Sequence, residues 1–393
     1  MRKKKVLFVV YYFIQAGGER YTYEIARALN KERFEIHFLK IYPLGSNKNW
    51  PNEYYYQPTL ELGCKVHFYE DLLKSSSSLK RFKLFEQLSR LIPIGRLQAY
   101  TSNRVAEETL NTLQNFLNEF DIVNWMGNGI FAHLGRHTNP SRYKEYIHLL
   151  STRFQYEHDL YAVWDKERSY HFFSPFSPWL LERELHGFKN FRHTYFPMSL
   201  SLQPYEVENS QKRKPPFIIA VFTRIDKLKP MEPYIYGLKL LLEKGVDAEL
   251  HIYGAGDPAL TGLKRQIEHL YITDKVKFKG HAESIETVMK TGEIDLVWFQ
   301  SGNNRPAGFA AFEIAMSGVP QVFWDFAQYV PEPEYNEVYP NYTHLTNFVQ
   351  KSSELLLDPA KRKELGLRQR AFVLRHQDIH QNIEIIESEF LNN

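Results

Sequence analysis

Apolar positions along this chain gather into short unbroken runs, and stretches of helical spacing separate them. Residues 6–13 (VLFVVYYF) form the first run, a glycine pair closes it, and residues 22–30 (TYEIARALN) repeat with the period of a buried helix face. A second run follows at 34–42 (FEIHFLKIY), so the opening predicts a β-α-β unit. Residues 65–70 (KVHFYE), 121–127 (DIVNWMG), 144–150 (KEYIHLL) and 171–176 (HFFSPF) read as later strands. Unbroken apolar strands with helices between them favour a parallel sheet covered on both faces. Residues 47–56 and 75–83 are polar, aromatic or Ser-rich and read as loops.

Near Pro197 the pattern changes, and residues 210–216 (SQKRKPP) cannot continue a regular element, which marks a linker. A more regular series then begins: FIIAVFTR, a helix over 233–244, AELHIYG, a helix over 260–270, VKFKG, a helix over 284–290, IDLVWF, a helix over 308–317, and PQVFWD. Such alternation with short turns predicts a second doubly wound, Rossmann-like domain. The fold class is therefore α/β, with Rossmann-like domains over 1–196 and 197–371. A final helical segment over 372–393 is expected to pack back on the first domain.

A length of 393 residues suits two such cores. The hydrophobic content of 43% includes no run of the ~18 apolar residues that a membrane-spanning helix needs, so a soluble protein is expected. The opening MRKKKVLFVVYYFI has no small-residue cleavage site after it and reads as a first buried strand rather than a secretory signal. One cysteine, Cys64, excludes an intrachain disulfide and a cysteine-based zinc site, and it suits a reducing cytoplasm. A formal charge of +3 gives no reason to expect nucleic-acid binding. Basic clusters at 2–5, 80–83 and 212–214 are solvated surface or a contact with an anionic membrane. The 25 Tyr and 28 Phe are many; aromatic faces suit sugar stacking, although core packing accounts for most of them.

In open parallel sheets, ligands bind beyond the carboxyl ends of strands, where backbone amides and helix N-termini face outward. Gly17 and Gly18 follow the first strand and open a helix, which admits a phosphate or sugar, or simply makes a turn. Arg224 and Lys229 follow the first strand of the second half, five residues apart. As a pair they can grip a diphosphate and stabilise its departure, or they are two surface cations. Gly254 and Gly256 form a tight turn that lacks the third glycine of a dinucleotide fingerprint. Glu313, inside the apolar GFAAFEIAM, is either an exposed helix-face carboxylate or the acceptor for a ribose diol.

Taken in order, GGERYTYEIARALN, FTRIDKLKP, LHIYGAGD, VKFKGH, GFAAFEIAMSGVPQVFWD and DPAKRKELGLRQRA resemble the motifs of the retaining glycosyltransferases of the group 1 type, family 4. The resemblance spans nearly the whole chain, with its firmest part in the second half. It implies a GT-B fold, two facing Rossmann-like domains with a cleft between them and the acceptor side on the N-terminal domain. It also implies that Arg224 and Lys229 hold the donor diphosphate and assist its departure, that Glu313 binds the ribose, and that Gly17 and Gly18 face donor phosphates and acceptor. Gly254, Asn304, Arg305 and Gly308 complete the implied donor site.

Three departures accompany the resemblance. The family has a glutamate on the transferred sugar eight residues before the ribose glutamate, and this chain has Arg305 there. A cation cannot accept from a hydroxyl, so Arg305 donates to sugar oxygens, pairs with an acidic sugar or turns away, while Asn303 and Asn304 offer acceptors. Residues 151–153 take the place of the family's first-domain histidine, with His148 and His158 near. Met198 and Ser199 replace an Asn-Gly pair. The chain contains no D-x-D, and paired cations make a metal unnecessary.

The implied activity is metal-independent transfer, with retention, from a UDP- or GDP-linked sugar to a glycan or lipid-linked acceptor. No further cofactor and no nucleic acid are implied. The expected location is cytoplasmic, with peripheral contact at the inner face of the membrane. The rival expectation is a GT-B module that binds a partner or glycan without chemistry.

Overall fold

The computed structural model describes residues 2–48, 52–89, 95–151, 159–176, 178–207, 215–225, 229–259, 261–301, 308–325, 338–339 and 341–392. The chain divides into two units, Met1–Ser199 with Ile379–Asn393, and Leu200–Asp378.

In the first unit the apolar runs become the strands β1 (Lys4–Val10), β2 (Phe34–Lys40), β3 (Lys65–Phe68), β4 (Ile122–Trp125), β5 (Lys144–His148), β6 (Tyr170–Ser174) and β7 (Phe191–Tyr195). Every pairing is parallel, in the order β3-β2-β1-β4-β5-β6-β7. Val6, Leu7, Phe8 and Val9 on β1 are wholly buried, because the central strand of a doubly wound sheet is covered on both faces. Helices α1 (Gly17–Ala28), α2 (Tyr56–Glu61), α3 (Tyr69–Ser75), α4 (Ser77–Ser89), α5 (Gly95–Leu117), α6 (Asn128–His133) and α7 (Pro178–Glu184) lie between the strands.

One expectation needs correction here, and one strand was not expected. Residues 75–83, read as a loop, hold the end of α3 and the start of α4. Serines compete for backbone groups inside helices but suit their first turns, and SLKRFKLFEQL consists largely of good helix formers. Strand β7 escaped notice because FRHTY is an edge strand, largely exposed and without an apolar run.

The second unit contains β8 (Phe217–Phe222), α8 (Glu232–Glu243), β9 (Ala248–Tyr253), α9 (Leu263–His269), β10 (Val276–Gly280), α10 (Ile285–Lys290), β11 (Leu296–Gln300), α11 (Gly308–Ala315), β12 (Gln321–Trp324), β13 (Asn341–Tyr342), α12 (Leu345–Leu357) and α13 (Pro359–His376). Its sheet is also wholly parallel, in the order β10-β9-β8-β11-β12-β13. Its core gathers Ile219, Val221, Leu250, Ile252 and Leu296 with Leu238 of α8. Asp358 caps α13 by accepting from the amides of Ala360 and Lys361, with Pro359 in the first turn where no amide is needed. Among the described residues no helix is long and apolar enough to cross a membrane.

The last helix, α14 (Ile379–Leu391), belongs to the first unit. Lys4 donates to the carbonyl of Phe390 at 2.9 Å, Tyr146 donates to that of Glu389 at 2.8 Å, and Glu387 accepts from the amide of Asn30 at 2.8 Å. Phe390 is wholly buried against Phe34, Tyr146 and Phe173. Phe390→Ala is expected to lower the stability of the first unit by about 3–5 kcal/mol, a loss that urea unfolding followed by tryptophan fluorescence measures.

Candidate functional site

Each sheet reverses its winding beside a central strand. In the first unit β1 lies between β2 and β4, and in the second β8 lies between β9 and β11. Connections there leave in opposite directions and open a crevice at the carboxyl ends, which is where open α/β sheets bind ligands.

At the end of β8 the chain does not simply turn away. The amide of Thr223 donates to Tyr253 at 3.0 Å and that of Ile225 to Ala255 at 2.8 Å, so the loop after β8 runs on beside the turn after β9. Ile225 is buried in the core, and Arg224, one residue earlier, is exposed. The alternation of an extended backbone turns the guanidinium outward. Lys229 is exposed as well.

Gly254 and Gly256 hold this arrangement. A Cβ on Gly254 would lie 1.8 Å from the Thr223 carbonyl oxygen, and one on Gly256, at φ 132°, would lie 2.0 Å from that of Ile225. Gly254 thus has a packing reason of its own: it lets two loop backbones touch and sets where Arg224 stands.

Glu313 sits on α11, partly exposed on a helix whose other positions, Phe309, Ala311, Phe312 and Ile314, are buried. Buried amides fix that helix. The Gln321 side chain donates to the Ala311 carbonyl at 2.8 Å, and the Gln369 side chain accepts from the Gln321 backbone amide and donates to the Gln321 carbonyl, at 2.8 Å each. Tyr205 donates to the Glu313 carbonyl at 3.2 Å, and burial pushes its phenol up. Gly308 opens α11 at φ 66°, a conformation that favours glycine. Arg305, Asn303 and Asn304 lie outside the described residues.

In the first unit Gly17 and Gly18 begin α1, and no side chain caps that end. A Cβ on Gly17 would meet nothing within 4 Å, and one on Gly18 only Leu150 at 3.8 Å. Neither residue has a positive φ. The fold does not itself require glycine at either position, and the N-terminal end of α1 is uncrowded there.

His148 is packed into the interior of the first unit. It is wholly buried at the end of β5; its Nδ1 lies 3.1 Å from the Tyr21 hydroxyl and its Nε2 lies 3.2 Å from Asn124 Oδ1. The Asn124 amide nitrogen points to the Leu7 carbonyl, at 3.4 Å, so its oxygen faces the ring. The pattern assigns a neutral imidazole that donates from Nε2 and accepts from tyrosine at Nδ1. His158 and residues 152–153 lie outside the described residues. The Ser151 carbonyl accepts from Asn128 at 3.1 Å.

Sequence reasoning missed a charged hub beneath the loops of the first unit. Lys40, 0% exposed, pairs at 3.0 Å with Glu53, 8% exposed. Lys40 also donates to the carbonyls of Tyr42 at 2.6 Å and Pro43 at 3.2 Å. Glu53 accepts from the amides of Phe13 at 2.6 Å and Gly45 at 3.3 Å. One ion pair thereby ties the loop after β1, the loop after β2 and the approach to α2. The signal was a lysine closing the apolar run FEIHFLK.

The comparisons with known proteins agree with this architecture. A family model described as glycosyl transferases group 1 matches residues 204–372, which lie within the second unit. No curated protein matches the chain in sequence. Solved structures match it throughout. Anabaena HepE in complex with UDP and glucose has a TM-score of 0.66 at 14% identity, covering 99% of this chain and 100% of that one. An S. aureus TarM variant, in complex with Fondaparinux, alpha-GlcNAc-glycerol and UDP, has a TM-score of 0.66 at 12% identity, covering 99% and 100%. Sucrose-phosphate synthase from Thermosynechococcus elongatus has a TM-score of 0.65 at 14% identity, covering 99% and 98%. The chain has the GT-B fold.

Two outcomes follow from the site's geometry. Gly254→Ala is expected to cost more than about 3 kcal/mol, because backbone must move to admit the methyl, whereas Gly17→Ala should change stability by less than about 0.5 kcal/mol; chemical unfolding of both variants compares them. The second concerns acid. Burial, and then His171, hold the His148 imidazole down at about 3. The unfolded chain takes up that proton near pH 6.5 while the folded chain refuses it, so stability falls as pH drops below 6.5. Unfolding free energies of His148→Gln at pH 7 and pH 5 should differ less than those of the wild type, by about one proton's worth of slope.

Proposed function

We propose that the protein is a retaining glycosyltransferase, independent of a metal, that moves a sugar from a UDP- or GDP-linked donor to a glycan or lipid-linked acceptor. The observation that carries this reading is the pair of exposed cations, Arg224 and Lys229, beyond β8 at the winding reversal of the second unit. Gly254 and Gly256 pack against the backbone of Thr223 to Ile225, which carries Arg224, within the span matched by the glycosyl transferases group 1 model. The UDP of the similar HepE and TarM structures supports a nucleotide donor.

In this reading Arg224 and Lys229 grip the diphosphate, Arg as a planar fork and Lys as a compact charge. Negative charge grows on the leaving phosphate as the sugar departs, and two positioned cations stabilise that state more than the ground state. The acceptor hydroxyl approaches on the same face and yields its proton largely to the departing phosphate. Glu313 accepts from the ribose diol, and Gly254, Asn304, Arg305 and Gly308 surround the donor. Gly17 and Gly18 present open helix amides to phosphate or acceptor. The work is done in the cytoplasm, and exposed Lys80, Arg81 and Lys83 on α4 give the protein a basic contact with the anionic inner face of the membrane.

A second reading, a GT-B module that binds a glycan or partner without transfer, is favoured by Arg305, since a cation stands where the resembled family has a carboxylate.

Arg224→Ala and Lys229→Ala are each expected to lower transfer by ~10² or more with unfolding unchanged. Glu313→Gln should weaken nucleoside diphosphate binding by roughly 1–3 kcal/mol. Thermal shifts with UDP and GDP, and hydrolysis of UDP-glucose and GDP-mannose without acceptor, read these effects. Near-normal rates in both cation variants would remove them from the chemistry. A wild type that neither shifts with a nucleotide nor hydrolyses a donor belongs to the second reading.

A further inference from the structure

The charged hub of the first unit lies under an unusual surface. Tyr11 and Tyr12 follow β1, Tyr42 follows β2, and the three rings gather at the carboxyl edge of the sheet. Tyr42 stacks on Tyr11 with centroids 5.3 Å apart and planes at 26°, and on Tyr12 at 5.1 Å and 21°. Tyr42 is 37% exposed, Tyr11 and Tyr12 are half-buried, and exposed His133 stands 6.2 Å from Tyr11. Tyr11 packs in part against the core beneath, whereas Tyr42 carries the group out to solvent.

What holds the group in place is costly. Taking Lys40 and Glu53 out of water costs several kcal/mol per ion before their attraction is counted, and apolar residues of similar size would often serve stability as well. What the pair does supply is position. Lys40 Nζ lies 5.3 Å from the centre of the Tyr12 ring and bonds to the carbonyl of Tyr42, while Glu53 bonds to the amide of Phe13, next to Tyr12. A single ion pair therefore fixes the backbone on both sides of the stack.

Glu19, half-buried in the first turn of α1 beside the open glycines, comes within electrostatic reach of Tyr12 and Glu53. Burial, and more weakly Glu53, raise its carboxyl to about 7, so near neutral pH it can either donate to or accept from a hydroxyl.

Aromatic rings at a strand end, followed along the chain by a carboxyl group in the first turn of the next helix, match one chemistry well. A pyranose ring carries an apolar face of C–H groups and a rim of hydroxyls, so it satisfies a ring and a carboxyl together. A charged lipid headgroup would leave the rings unused, and an aliphatic chain would leave Glu19 unsatisfied.

We propose that Tyr11, Tyr12 and Tyr42 form a saccharide-stacking platform, with Glu19 bonding to a hydroxyl, by which the first unit holds a neutral sugar ring of the acceptor. As an acceptor subsite it rests on the transferase reading; as a saccharide site it stands without it.

The test uses the full chain on an array of immobilised neutral oligosaccharides, with thermal shifts by UDP and GDP measured in parallel. Wild type is expected to be retained on at least one saccharide, Tyr42→Ala to bind it about tenfold or more weakly, and Tyr42→Phe to bind within about twofold. Glu19→Gln should keep stacking yet weaken binding to saccharides that have a hydroxyl, relative to their deoxy analogues. Nucleotide shifts should be the same in all four proteins. No retention of the wild type, or equal retention of Tyr42→Ala with its fold intact by circular dichroism, overturns the platform. Retention without any nucleotide shift upholds the platform and overturns the donor reading, which keeps the two failures apart.

Discussion

A parallel sheet sends every strand's carboxyl end to the same edge, and this constraint governs everything else in the molecule. Both sheets are wholly parallel, both are wound outward from a central strand, and the candidate residues Gly17 and Gly18 follow β1 as Arg224 and Lys229 follow β8. The edge is also where backbone pairing ends, so whatever stands there must be held by something other than the sheet.

The two units meet that requirement by different physical means. In the second, glycine removes the side chains that would keep two loop backbones apart, and direct hydrogen bonds between Thr223, Tyr253, Ile225 and Ala255 close the contact. In the first, a buried ion pair reaches into three loops at once. The glycine solution costs backbone entropy in the unfolded chain and leaves rigid main chain near a ligand. The ionic solution costs desolvation and leaves a surface whose outer side chains are free to differ. A backbone-set cation pair suits a diphosphate, which is always the same shape. An aromatic surface on a charged footing suits a partner whose shape must be selected, which agrees with the division of donor and acceptor proposed for the two units.

The histidines illustrate how position overrides residue type. His148 closes an apolar run near the carboxyl edge, where sequence reasoning looks for catalytic imidazoles. Its two nitrogens are committed to Tyr21 and Asn124, and burial holds it neutral. An imidazole with both nitrogens bonded and no access to solvent holds a core together; it cannot exchange a proton with a substrate.

The sequence alone determined the elements of the second unit from β8 to β12, because unbroken apolar strands and short turns leave few alternatives to a wound parallel sheet, but it passed over β13 and α12. It also marked Arg224, Lys229 and Glu313 as candidates, since ligands of such sheets bind beyond strand ends, and the fold leaves the first two exposed and the third partly exposed. It misread residues 75–83, where serines suggested a loop and good helix formers made α4, and it passed over the exposed strand β7. Gly17 and Gly254 looked alike as letters. Tertiary contacts alone separated them, one in open space and the other against a carbonyl oxygen. The same holds for Lys40 and Glu53, thirteen positions apart with no periodic relation, and for Tyr11, Tyr12 and Tyr42, which stand in the loops after two different strands. Sequence patterns report the period of a single element, whereas an ion pair or a stack of rings between loops depends on how neighbouring strands are ordered, and that order exists only in the folded chain.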